Sequence, residues 1–237
     1  MTRTAKRNAI NPAMTAALDE ALNTFEDDPD QWVAILTGDE AAFSAGSDLA
    51  ETSGEPTERG GEYGVIRRVR EKPLIAAVEG LAYGGGMELV LACDLVVASE
   101  SARFGLPEVA RGVIATCGGL FRTPRALPLN LAREMVLTGE PLDAPRLHAA
   151  GFVNRLVAPG SAVSAALDLA ERICANSPVS VRQSLRALEA TVSANDELGW
   201  EATARALEGV QAHEDLDEGI AAFLEKRPPR WTGRPRP

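Results

Sequence analysis

Two glutamates stand in surroundings where a carboxylate needs a partner or a function. Glu88 follows Gly84-Gly85-Gly86 and lies one turn into an apolar run, residues 87–92, that is typical of a short buried helix. Glu108 follows the turn formed by residues 105–107, one predicted strand later. Burying a carboxylate alone is unfavourable. The two side chains are expected to face one cleft, where paired carboxyls suit the proton transfers of water addition.

The three glycines predict a close approach between backbone and ligand, because glycine has no side chain in the way. A helix that begins at this point leaves its first N–H groups free to bind a ligand. Ser47, in the small-residue stretch 43–49, offers a second free amide to complement that of Gly85. Two such donors form an oxyanion hole, each worth roughly 2.7–4 kcal/mol in the transition state.

Each of these motifs also occurs without a catalytic role. On this stretch alone, a glycine cluster is as often a simple turn, and a glutamate in an apolar helix as often a satisfied core acid. The run is neither a G-x-G-x-x-G fingerprint nor a P-loop, since no Lys-Ser or Lys-Thr follows it. Ser44 and Ser47 do not lie in a G-x-S-x-G elbow and have no histidine well placed to activate them, which disfavours a serine nucleophile.

Apolar spacing predicts the elements that position these residues. The pattern indicates a helix over residues 11–26 and strands over 32–37, 75–78, 94–98, 102–104 and 152–157. A polar, glycine-rich loop over 52–64 leads into a basic helix predicted over 63–71. After residue 161 the pattern is helical throughout. The chain is therefore expected to have an α/β core with the active site at 1–160 and a helical oligomerisation region at 161–237.

Composition excludes several classes of protein. A chain of 237 residues with 45% hydrophobic and 24% charged residues is typical of a soluble globular protein. The net charge of −10 argues against a nucleic-acid partner. No signal segment or membrane span is evident, so a cytoplasmic location and no membrane partner are expected. Three widely spaced cysteines and two histidines predict neither a disulfide framework nor a metal site.

Seven sequence blocks, in order along nearly the whole chain, resemble the crotonase (enoyl-CoA hydratase/isomerase) superfamily. The blocks are Arg7-Asn8-Ala9-Ile10-Asn11, Phe43-Ser44-Ala45-Gly46-Ser47-Asp48-Leu49, Lys72-Pro73-Leu74-Ile75-Ala76-Ala77-Val78-Glu79-Gly80, Gly84-Gly85-Gly86-Met87-Glu88-Leu89, Ala92-Cys93-Asp94, Phe104-Gly105-Leu106-Pro107-Glu108 and Leu137-Thr138-Gly139. The resemblance implies a spiral of ββα units with a C-terminal helical trimerisation region. It also implies a homotrimer or a dimer of trimers.

The resemblance further implies that the substrate is a coenzyme A thioester, with coenzyme A as part of the substrate and no metal or redox cofactor. Catalysis then falls to Glu88, Glu108 and the amides of Ser47 and Gly85, which would hold the thioester oxygen. The substrate-binding positions it implies are Ala9, Ala45, Ser47, Asp48, Leu49, Gly85, Phe223 and Lys226. Phe223 and Lys226 match a tail motif that can reach the coenzyme A of a neighbouring subunit.

The expected activity is that of an enoyl-CoA hydratase. An enoyl-CoA isomerase, a carnitinyl-CoA-type hydratase and a non-catalytic thioester-binding homologue are the alternatives. An isomerase needs only one base, so the presence of both glutamates favours hydration. The chain departs from typical hydratases at Ala115-Thr116-Cys117 and at Leu120-Phe121, which border the acyl pocket in the family. A fatty-acyl specificity is therefore not assumed.

Overall fold

The computed structural model describes residues 1–236. Helix α1 (Pro12–Asp27) begins as the sequence predicts, because the Asn11 side chain caps it by accepting a hydrogen bond from the amide of Met14 at 3.0 Å. Pro12 fits the first helical turn, where no N–H is needed. The buried side chains of Leu22 and Phe25 attach the helix to the core.

Within residues 1–236, eight strands form two four-stranded sheets. They are β1 (Ala34–Thr37), β2 (Ala42–Ser44), β3 (Leu74–Val78), β4 (Leu81–Tyr83), β5 (Leu95–Ser99), β6 (Arg103–Gly105), β7 (Leu142–Asp143) and β8 (Arg155–Val157). The first sheet has the order β1-β3-β5-β8 and is parallel throughout. The second has the order β2-β4-β6-β7, with only β7 antiparallel. Every residue of β3 is buried, as expected for a central strand covered on both faces.

Successive strands alternate between the two sheets. β3 lies in the first sheet and β4 in the second, and helix α2 (Gly85–Leu91) follows them. β5, β6 and then α3 (Gly119–Ala126) repeat that order. Each unit therefore adds one strand to each of the two sheets, and the chain winds as a spiral of ββα units. Gly80 makes the step from β3 to β4 possible, because a β-carbon there would lie 2.0 Å from the carbonyl oxygen of Ala41.

The remaining helices follow the second ββα unit. They are α4 (Leu129–Thr138), α5 (Ala144–Ala149), α6 (Ala162–Cys174), α7 (Pro178–Val192), α8 (Asp196–Gln211) and α9 (Asp215–Leu224). α6 packs on the first sheet through Ala162 and Ala166. α7, in contrast, buries none of its residues. Within residues 1–236, no helix has the length and apolarity needed to cross a membrane.

The prediction of a helix over residues 63–71 is wrong. A single 3₁₀ turn (Glu62–Gly64) stands at its start, and Tyr63 has a left-handed backbone with a φ of 57°. Arg68 belongs to the core rather than to a solvated helix face, and its guanidinium donates to Asn23 at 2.7 Å and to Asp19. The short strands β2 and β4 and helix α5 are likewise absent from the sequence-based prediction.

Candidate functional site

The glycine run forms the start of α2, and each glycine is required for a different close approach. A β-carbon at Gly84 would lie 3.1 Å from Oε1 of Glu108, and one at Gly85 would lie 2.4 Å from the hydroxyl of Tyr63. One at Gly86 would lie 2.1 Å from the carbonyl oxygen of Ser44. Gly84 also has a φ of 56°, which favours glycine. The α2 N-terminus therefore touches three other segments of the site.

Two backbone amides remain free at this point. Ile10 donates to the carbonyl of Gly46 and accepts from the amide of Asp48, both at 2.8 Å, so the amide of Ser47 between them is not used. The Gly85 amide is the first of α2 and has no helical partner. Neither amide donates a hydrogen bond within residues 1–236. A β-carbon at Gly46 would lie 2.8 Å from the nitrogen of Gly85, so the two segments are in contact.

Glu88 lies inside the protein and is held by backbone. It lies in the first turn of α2 and is 2% exposed. Its Oε1 accepts hydrogen bonds from the amides of Cys117 at 2.7 Å and Gly119 at 2.9 Å. Burial raises the pKa of Glu88 to about 7, although these two hydrogen bonds favour the charged form and oppose the rise. Gly119 is tightly placed, since a β-carbon there would lie 3.0 Å from Oε1. Glu88 is thus fixed in position and can exchange a proton near neutral pH.

Glu108 occupies a 3₁₀ helix (Pro107–Arg111) directly after β6. Its Oε2 is buried and has no hydrogen-bond partner among the described residues, while Oε1 lies beside Gly84. Burial, and secondarily the charge of Glu88, raises the pKa of Glu108 to about 7. A buried carboxyl oxygen without a partner is costly unless a ligand supplies one. The two glutamates therefore lie at one end of α2, where the charge of Glu88 disfavours a second charge on Glu108.

Tyr63 is a site residue that the sequence reasoning missed. It is 3% exposed, and its hydroxyl lies 2.9 Å from Oγ of Ser47. Burial, with a further contribution from Cys117 and Glu88, raises the pKa of Tyr63 well above its usual value, so the phenol stays neutral. The available signal was an aromatic residue inside the glycine-rich run 60–64, a position unlike an ordinary solvent-exposed loop.

The residues expected on the coenzyme A side lie along one edge. The backbone at 45–48 pairs with residues 7–10, which brings Ala9 close to Ala45 and Asp48. Leu49, next along the chain, is 61% exposed. Asp48 forms an ion pair with Arg3, and the Arg3 hydrogen bond lowers the pKa of Asp48 to about 2. Its carboxylate is therefore already engaged by the protein.

The two tail residues take different positions. Phe223, on α9, has the guanidinium of Arg111 over its ring at 4.8 Å, so it lies beside the element that carries Glu108. Lys226 follows α9 with a φ of 54° and takes part in no ion pair or side-chain hydrogen bond within residues 1–236. The structure of a single chain thus links Phe223, but not Lys226, to the site. Residues 1–236 contain no cluster of three metal-ligating side chains.

Comparisons with known proteins agree on one family. A family profile described as "Enoyl-CoA hydratase/isomerase" matches residues 1–234. The chain is 39% identical to mevalonyl-coenzyme A hydratase of Aspergillus fumigatus, over 98% of this chain and 89% of that protein. It is also 39% identical to carnitinyl-CoA dehydratase of Salmonella paratyphi A, over 97% and 92% respectively. Among solved structures, carnitinyl-CoA hydratase from Mycobacterium avium superposes with a TM-score of 0.92 at 43% identity, covering 99% of this chain and 94% of that chain.

Proposed function

Because the chain belongs to the enoyl-CoA hydratase/isomerase family of the crotonase superfamily, we propose that it adds water to a 2-enoyl-CoA thioester and catalyses the reverse dehydration. One observation carries this proposal. Two buried carboxyls with pKa values raised to about 7, Glu88 and Glu108, lie at the end of α2 where two backbone amides are free. An isomerase would need only one of these carboxyls.

The mechanism uses one ionised and one protonated glutamate. The amides of Ser47 and Gly85 donate to the thioester oxygen and stabilise the enolate-like charge that forms on it. One carboxylate removes a proton from water as the water oxygen bonds to the β-carbon, and the other carboxyl gives its proton to the α-carbon. Dehydration runs through the same steps in reverse. Burial, with a smaller contribution from the charge of Glu88 at Glu108, favours a state with one protonated carboxyl near neutral pH.

The acyl group is a separate question from the reaction type. The names of the relatives specify two acyl groups, mevalonyl and carnitinyl, and both names describe the addition or removal of water. We therefore propose a substituted short acyl group rather than a long unbranched chain. The departures at Cys117 and Phe121 agree with this choice, because these positions border the acyl pocket in the family and differ here from those of typical hydratases.

A panel of 2-enoyl-CoA thioesters tests the proposal. The panel contains unbranched chains of several lengths and the dehydrated forms of carnitinyl-CoA and mevalonyl-CoA. We expect loss of absorbance from the conjugated double bond together with a product heavier by one water. A product of unchanged mass with a shifted double bond would assign the chain to the isomerases. Binding without any turnover would identify a non-catalytic thioester-binding protein.

Lys226→Ala is expected to raise KM for the thioester and to leave kcat nearly unchanged. A protein with a net charge of −10 must rely on local cations to hold the phosphates of coenzyme A. A contact that is the same in ground and transition states affects KM alone. Arg68 and Arg70 are poor rivals, because they are already paired with Asp19 and Asp94.

Steady-state kinetics at low and high salt measure this effect, which should shrink at high salt where the wild-type contact is itself screened. Arg67→Ala is the matched control, because Arg67 is also an exposed cation. Its guanidinium, unlike the Lys226 ammonium, is already engaged, since it stacks on the ring of Trp200 at 3.9 Å. The assignment to Lys226 fails if its replacement leaves KM unchanged at low salt while Arg67→Ala raises it.

We also expect a trimer or a dimer of trimers in solution. α7 buries none of its residues in the single chain, and a groove of about 830 Å³ separates it from the body of the protein. Leu188 and Val192 on α7 are 62% and 53% exposed, and Leu198 at the start of α8 is 61% exposed. Exposed apolar faces of this kind usually mark interfaces between subunits. Light scattering at micromolar concentration measures the mass, and a monomer would contradict the expectation.

A further inference from the structure

The loop that carries Tyr63 is anchored on both sides of that residue. Before it, Thr57 and Gly61 exchange backbone hydrogen bonds at 2.9 and 3.0 Å, and the Thr57 hydroxyl donates to Asp19 on α1 at 2.7 Å. After it, the carbonyl of Ile66 accepts from Arg122 at 2.7 Å. The buried guanidinium of Arg68 also binds α1. The loop is therefore held to α1 and α3, and these contacts fix the position of the Tyr63 side chain.

The backbone of Tyr63 is unfavourable for a residue of its type. Its φ of 57° is left-handed, a region that bulky side chains rarely adopt. Backbone strain of this kind persists where surrounding structure enforces it, and it concentrates at functional sites. The conformation directs the phenol inward, where its hydroxyl lies 2.9 Å from Oγ of Ser47 and against the backbone of Gly85. These are the two residues whose free amides form the proposed oxyanion hole.

We infer that the hydroxyl of Tyr63 is a third donor to the thioester oxygen, beside the amides of Ser47 and Gly85. The inference rests on the proposed function, because it assigns a role at the same site. When the Ser47 hydroxyl donates to Tyr63, the phenolic hydrogen has only the weakly accepting thiol of Cys117 beside it and can turn to a ligand oxygen. Burial keeps the phenol protonated, and its pKa lies well above the usual value. A neutral donor of this kind stabilises a developing negative charge without adding a charge of its own.

Tyr63→Phe removes only the hydroxyl and tests the inference directly. We expect kcat to fall by about 10²-fold, the cost of losing one oxyanion donor, with KM much less affected. Tyr83→Phe is the matched control, because Tyr83 is the other tyrosine of the chain and its hydroxyl makes no hydrogen bond within residues 1–236. Tyr83→Phe should retain wild-type kcat.

A binding experiment separates this role from a structural one and does not need turnover. Calorimetry compares a saturated acyl-CoA thioester with its thioether analogue, in which a methylene replaces the carbonyl. The wild-type protein should prefer the thioester, and Tyr63→Phe should reduce that preference by about tenfold, as for one lost hydrogen bond. Ser47→Ala, which keeps the amide but removes the oxygen that orients the phenol, should reduce the same preference by a smaller factor and serves as a second variant.

The two proposals fail in different ways. If no thioester gains water with the wild-type protein, the hydratase proposal fails, but the thioester-over-thioether preference still tests Tyr63. Equal weakening of both ligands by Tyr63→Phe would show that the phenol only shapes the pocket and would overturn the inference. A Tyr63→Phe variant with kcat within about twofold of wild type would overturn it as well, since a lost donor costs far more.

Discussion

Glu88→Gln and Glu108→Gln should each lower kcat by about 10²–10⁴-fold while the protein stays folded, because each removes one proton carrier from a two-carboxyl mechanism. Glutamine keeps an oxygen that can accept from the amides of Cys117 and Gly119, so the local structure around residue 88 should survive. At residue 108 the buried Oε2 has no partner to lose among the described residues. Steady-state kinetics on the best thioester of the panel, with circular dichroism to verify folding, measure both effects.

Glu79→Gln is the matched control for these variants. Glu79 is likewise a buried glutamate, 8% exposed, and it accepts from the amides of Gly160 and Ala162 at the start of α6 rather than at the site. Its replacement should leave kcat close to wild type. Near-normal kcat in either site variant would contradict the two-carboxyl mechanism. If Glu108→Gln alone retained activity, Glu88 would be the single base, as an isomerase requires.

Much of the fold could be predicted from local sequence signals. The Asn11-Pro12 cap and the apolar spacing locate α1, and the run before Gly80 locates β3, which the structure shows buried at every position. β2 overlaps the small-residue stretch 43–49 and β4 joins β3 to the glycine run, so neither three-residue strand gave a signal of its own. The helix expected at 63–71 failed because glycines with positive φ and the buried Arg68 ion pair override the local helical pattern.

The site was predictable where a residue type conflicted with its surroundings. Glu88 and Glu108 were singled out because a carboxylate in an apolar stretch needs an explanation, and the structure brings both to the start of α2. Tyr63 gave only the weaker signal of an aromatic residue in a glycine-rich run, since its position depends on contacts with α1 and α3 that are distant along the chain. The pairing of Asp48 with Arg3 is likewise a long-range contact, and it leaves that carboxylate less available to a ligand than the sequence implied.

The pH dependence of stability should change sharply in Glu88→Gln. Burial raises the pKa of Glu88 in the folded protein from 4.5 to about 7. Between these pH values the folded state holds a proton that the unfolded state has released, so the stabilising contribution is complete below about pH 4.5 and is lost as pH rises to about 7. At 1.36 kcal/mol per pKa unit, wild-type protein loses roughly 3 kcal/mol of unfolding free energy through this residue alone.

Glu88→Gln cannot lose that contribution, so it should gain stability relative to wild type as the pH is raised from 5 to 8. Urea denaturation at several pH values measures the difference. Glu218→Gln is the control, because the Arg227 hydrogen bond lowers the pKa of Glu218 to about 2 and its contribution is lost only below about pH 4.5. The stability difference between Glu218→Gln and wild type should therefore stay constant between pH 5 and pH 8. If the stability difference between Glu88→Gln and wild type were the same at pH 5 and pH 8, Glu88 would have an ordinary pKa. Glu108, whose pKa is also raised to about 7, would then have to be the protonated carboxyl of the mechanism.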